Sequence, residues 1–200
     1  MEAKSPFSYA KSIRNYSRFD SECKAKYLLS NFERFPRMIA RYESNWEIVV
    51  KAEKRYNSVS ANGNLGVRVQ KSGTSDPTMN EAISNIEIQQ ASSDTELRIM
   101  LKGTDHPEEH LVEKLIIQDM QDDYAIILNA IHSLDKADAE LFLSYLKKEK
   151  SVQEIAAKCN IQYSSAKRKV YDIRKSVIDT AVEDIKLKYS IIHQEVEDEQ

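Results

Sequence analysis

The chain has 200 residues, with 29 basic and 32 acidic side chains and a formal net charge of −3. Hydrophobic residues make up 41% while Gly and Pro number only 4 each, which is enough for a core but too few special-backbone residues for a barrel, a sandwich or a Rossmann-type enzyme. The near-zero net charge at first counts against a nucleic-acid partner, but a sum says nothing about distribution.

By segment, residues 1–60 carry a net +5, residues 61–75 a net +2, residues 76–135 a net −10 and residues 136–190 a net +4, followed by four acids in 191–200. Such a block pattern suits a nucleic-acid-binding module joined to an acidic one.

The elements read almost entirely as helices, giving an all-α fold. Asp20 precedes an amphipathic stretch through Tyr27, Leu28, Phe32 and Phe35. Pro36 then suits the first turn of a second helix, where its missing N–H costs nothing. That helix carries Ile39, Tyr42, Trp46, Val49 and Val50 and fades near Tyr56. Residues 1–57 thus form a basic helical region, and residues 58–75, with Gly63, Gly66 and Gly73, a linker or long loop.

Asp76-Pro77 starts a helix expected to run through Met79, Ile83, Ile86 and Leu97 to about Leu101, with Gly103 ending it. Thr104–Pro107, with Glu108 and Glu109 at the positive end of the helix dipole, starts another that continues to about His132. The two are expected to pair as an acidic hairpin over residues 76–133, serving oligomerisation or polymerase contact.

Residues 134–190 carry the chemistry. A helix from Ala137 to Leu146 should present Ala137, Leu141, Phe142 and Tyr145 on one side. Ser151-Val152-Gln153-Glu154 is a capping box that starts a short helix. Cys159-Asn160-Ile161 is the turn: Asn tolerates left-handed backbone, and Ile161 should plug the angle between the helices. A third helix begins near Tyr163, its back formed by Ala166, Val170, Ile173 and Val177.

This is the pattern of a helix-turn-helix. Between Lys158 and Lys175 lie six basic residues and one acid, and the N-terminal half of such a third helix enters the major groove of double-stranded DNA. The DNA-binding residues expected are Tyr163, Ser164, Ser165, Lys167, Arg168, Lys169, Tyr171, Arg174 and Lys175. A basic helix with a solvated face in an ordinary bundle would share the charge, but not the cap and turn.

At these residues the sequence SVQEIAAKCNIQYSSAKRKVYDIRKSV resembles region 4 of sigma factors, with Asn160 where those proteins usually have Gly and Gln162 where they often have Ser. In layout, with SGTSDPTMNEAI between a basic N-terminal part and an acidic helix pair, the chain is similar to phage late-transcription activators of the RinA/ArpU type. That resemblance implies sequence-specific DNA binding upstream of late or packaging genes and recruitment of host RNA polymerase. A small terminase subunit, or a protein-only adaptor gripping polymerase or a sigma factor, stays open as an alternative. A homo-oligomer acting in the bacterial cytoplasm is expected.

Other patterns point less far. Phe7, Tyr9, Tyr16 and Phe19 interleave with Lys11, Arg14 and Arg18, which suits either a second nucleic-acid contact or an amphipathic end. His106, His110, Glu109 and Glu113 have helical spacing, but acids are expected in a first turn without any metal, so no metal or cofactor is assigned. No phosphate loop, nucleophile elbow or HExxH is present, and no enzyme activity is expected. Cys23 and Cys159 form no CxxC pair and read as reduced thiols, Cys159 in a buried position. The apolar run Tyr124–Leu128 is about a quarter of the ~20 residues a membrane span needs, and Met1–Ser12 has no hydrophobic leader core. The acidic tail 191–200 is expected to be disordered.

Overall fold

The computed structural model describes residues 8–61 and 94–198. Among them are eight helices and no strand: α1 Ser8–Ser17, α2 Ser21–Ser30, α3 Phe35–Ala61, α4 Asp94–Met100, α5 Pro107–His132, α6 Lys136–Leu146, α7 Val152–Cys159 and α8 Tyr163–Asp198. The fold is all-α. The loop beyond residue 61 and the helix expected from Asp76 to residue 93 lie outside the described residues, so the first arm of the expected hairpin is described only in α4.

The chain divides into two compact units, Met1–Ile13 with Ala40–Ile117 and Arg14–Ile39 with Gln118–Gln200. In the first, α3 and the start of α5 run in opposite directions, as three cross-links show. Lys114 donates to Glu43 at 2.6 Å, His110 Nε2 to Glu53 at 2.9 Å, and Asn57 to Asp105 at 2.8 Å. Trp46, fully buried, donates its indole N–H to the His110 carbonyl at 2.8 Å. Gly103, at φ +90, makes the turn between α4 and α5, and Leu97, Met100 and Leu101 are buried beside it in sequence. Helix α3 runs five residues past the expected fade at Tyr56.

His110 is buried with two carboxylates near its ring. Among the described residues its Nδ1 has no hydrogen-bond partner, and Glu113 Oε2 stands 3.9 Å away. Burial opposes a charge on the imidazole, but Glu113 and Glu53 outweigh it and hold the pKa above the usual 6.5. A raised folded pKa stabilises below the unfolded value, and that stabilisation is lost as pH rises through the folded one. Stability read from Trp46 fluorescence in urea should therefore fall on that alkaline side. His110→Gln should flatten the fall, and an unchanged pH profile in the variant would remove His110 as its source.

In the second unit, Asp20 caps α2 by accepting the Cys23 N–H at 2.6 Å. Tyr16, Tyr27, Phe35, Phe32 and Tyr124 form an aromatic cluster with ring centroids 5.4–6.2 Å apart. Beside it lies a buried charge network. Lys24 is 2% exposed and sits 2.6 Å from Asp119 and 3.2 Å from Asp123. Lys188 of α8 bonds to both aspartates, and Tyr16 donates to Asp123 at 2.8 Å. Tyr189 donates to Asp119 at 2.7 Å and also bonds to Lys24. Burial pushes the Asp119 carboxyl up, but hydrogen bonds from Lys188, Lys24 and Tyr189 win and hold it below the ordinary value.

This network changes the reading of the charge blocks. Asp119 and Asp123 belong to the acidic segment, and Lys24 and Lys188 to the two basic ones, so part of the alternation is spent inside the fold. Tyr16 is correspondingly buried and is not free to stack on a base. Phe7 and the Tyr9 side chain lie outside the described residues. The backbone of α8 continues to Asp198, so most of the stretch expected to be a disordered tail extends the helix instead.

Candidate nucleic-acid interface

Helices α6, α7 and α2 each pack against α8. On α6 the buried residues are Ala139, Phe142 and Leu146. Ala137, expected on that face, is exposed, because it precedes the buried stripe by two positions, about 200° of helical turn.

Ser151 caps α7 as its spacing requires. The Glu154 N–H donates to Ser151 Oγ at 3.3 Å, and the Ser151 N–H donates to Glu154 Oε2 at 2.7 Å. The bonds from Ser151 hold the Glu154 carboxyl below its usual pKa. Ile155 and Ala156 are the buried face of this short helix, and a small residue at Ala156 suits close packing on α8.

At the turn, Asn160 has φ 52 and ψ 45, in the left-handed region. Its N–H donates to the Ala157 carbonyl at 3.2 Å, and the Ile161 N–H to the Ala156 carbonyl at 3.0 Å. These two bonds form a Schellman closure. Two expectations fail here. Ile161 is 37% exposed, because the backbone bonds make the reversal and leave its side chain at the rim. Cys159 is exposed rather than buried, since it occupies the last position of α7, where the chain turns away.

Helix α8 begins at Tyr163. Ala166, Val170, Ile173 and Val177 are buried, spaced four, three and four along its base. At 100° per residue, Tyr163, Ser164, Lys167, Arg168, Tyr171 and Lys175 fall within roughly 140° of arc that starts beside the buried stripe and turns away from it, and all six are exposed. Arg168 lies 3.8 Å from Asp172 in an exposed pair. Ser165 is exposed just outside this arc.

Of the remaining two candidates, Lys169 lies outside this arc, while Arg174 lies on its edge, in line with Tyr163 and Lys167, and is tied to α2. Lys169 donates to Asp138 of α6 at 2.6 Å, and that bond raises its pKa. Arg174 donates to Ser30 Oγ at 3.1 Å. Both fasten the flanks of α8 to its neighbours.

Lys148, at φ 59, is a second left-handed residue, which the sequence pattern does not single out. Its N–H donates to the Tyr145 carbonyl at 3.0 Å and the Glu149 N–H to the Ser144 carbonyl at 2.9 Å, the same closure as at Asn160. An indirect signal exists: α6 must stop before the Ser151 cap, and Lys147–Lys150 offers neither Gly nor Asn for the reversal.

Among the described residues, no three His, Cys, Asp or Glu side chains are grouped to hold a metal ion, and no helix is long and apolar enough to cross a membrane. No family model, no curated protein and no solved structure matches the chain.

Proposed function

We propose that the protein is a sequence-specific DNA-binding transcription regulator that reads the major groove with the exposed arc of α8. The observation that carries this reading is the coincidence on one helix of an apolar back, a left-handed turn before its start, and an outward arc with Lys167, Arg168 and Lys175 beside Tyr163, Ser164 and Tyr171. Cations serve phosphates, while Arg, Ser and Tyr serve base edges and sugar. The positive end of the helix dipole lies at the same end of α8 and favours phosphate further. Lys169 and Arg174 act by positioning the helix.

The resemblance to phage late-transcription activators extends the proposal to activation of late or packaging genes together with host RNA polymerase. Recruitment would fall to surfaces outside the arc.

In fluorescence anisotropy on duplex DNA, the double variant Lys167→Ala, Arg168→Ala should bind more weakly. The slope of log affinity against log salt should flatten by about 0.9 for each phosphate that is no longer neutralised. If one of the two reads a base, preference at that position should relax at a cost of roughly 1–3 kcal/mol. Wild-type affinity and slope in the double variant would refute the assignment.

A further inference from the structure

We propose a second DNA contact, built by the α2–α3 turn and the α6–α7 turn, that grips the phosphate backbone beside the reading helix. It rests on the DNA-binding reading of α8 and extends the footprint beyond it.

Three stretches remote in sequence meet here. Ser30, at the end of α2, accepts from Arg174 of α8 at 3.1 Å. Three residues later, Glu33 Oε2 lies 3.9 Å from Lys148 of the α6–α7 turn, and its Oε1 lies 3.5 Å from Arg37. The two turns contribute Arg34, Arg37, Lys147, Lys148 and Lys150 against Glu33 and Glu149, and Arg174 ties them to α8. Arg37 and Lys148 remain 78% and 68% exposed despite their shared carboxylate.

Two local rules are broken to assemble this charge. Lys148 holds the left-handed position of a Schellman closure, where Gly is the residue of least strain and Asn, as at Asn160, the next choice. Helix α3 has no acid in its first turn and carries Arg37 there, a cation at the positive end of the dipole. Local penalties that converge on one spot mark a place where function outweighs stability.

The occupant follows from continuity. Arg174 is eleven residues after Tyr163 and seven after Lys167, so the three share one line along α8. The cluster therefore continues the edge of the reading arc, and a duplex lying against that arc brings its phosphates toward the turns. An acidic protein surface would match the charge but not this alignment.

The test uses the full chain and a fluorescein-labelled mixed-sequence duplex in a salt series from roughly 50 to 200 mM. Lys148→Gly and, separately, Arg34→Gln should each bind more weakly at low salt. Each should flatten the salt slope by about 0.9, so that the fall in affinity across the series is three- to fourfold smaller than in the wild type. Lys148→Gly should also melt at or above the wild-type Tm, because glycine relieves the left-handed strain. A lower Tm would make Lys148 a structural residue and overturn its assignment. Wild-type affinity and slope in both variants, with the Lys167→Ala, Arg168→Ala protein defective, would overturn the second contact alone and leave the cluster to a protein partner. Absence of DNA binding by the wild type at low salt would overturn the reading of α8 as well.

Discussion

Asp123→Ala is expected to destabilise the protein by about 3–5 kcal/mol, the range for breaking a buried ion pair from one side. Asp123 is fully buried and serves Tyr16, Lys24 and Lys188 together. Its loss leaves two lysines, one of them buried, sharing the single carboxylate of Asp119, and strips Tyr16 of its acceptor. With Asp123 in place, burial and then its carboxylate hold the Tyr16 hydroxyl protonated, far above the usual phenol range. Urea unfolding followed by circular dichroism measures the cost. Removing one charge of each sign, in Lys24→Met with Asp123→Asn, should recover much of it. Lys188 and Asp119 then still match, and the amide oxygen introduced by the second substitution can accept from Tyr16. A single-variant cost below about 1 kcal/mol would show that the network contributes no more than a surface pair.

Trp46→Ala should follow closely, at about 3–5 kcal/mol. The ring is fully buried between α3 and α5, its N–H is bonded to the His110 carbonyl, and Lys114 Nζ lies 5.2 Å from its centroid. Trp46→Phe keeps most of the ring volume and gives up one hydrogen bond, a loss of roughly 1 kcal/mol. The gap between the two variants separates packing from the bond. Equal costs would mean that the hydrogen bond, and not the ring volume, holds this part of the fold.

The features legible in the sequence are those set by neighbours along the chain. Asp20, the Ser151–Glu154 box and Asn160 act within three or four residues, so their spacing is their geometry. The base of α8 follows from periodicity alone. Partners chosen across the fold are not legible: Tyr16 and Asp123 are 107 positions apart, and Lys24 and Tyr189 are 165. For that reason the acidic block reads as a uniform surface, when two of its aspartates balance lysines inside. The same limit hides which basic residues of α8 face outward and which fasten it, because Lys169 and Arg174 differ from Lys167 only in what stands opposite them. Lys148 escapes because turn rules look for Gly, and the residue that breaks the rule gives no signal of its own.

Helix α8 is continuous from its reading end to the buried network. Twenty-five residues separate Tyr163 from Lys188, about 37 Å at 1.5 Å per residue. Between the two ends the helix is clasped by Arg174 on Ser30 and by Lys169 on Asp138, so the network and these clasps together aim the arc. A tilt of about 10° where Lys188 meets the two aspartates carries Tyr163 some 6 Å, about the pitch of one helical turn. Mutations that leave every exposed side chain of the arc in place can thus misaim all of them together, provided they loosen Lys24, Asp119 or Asp123.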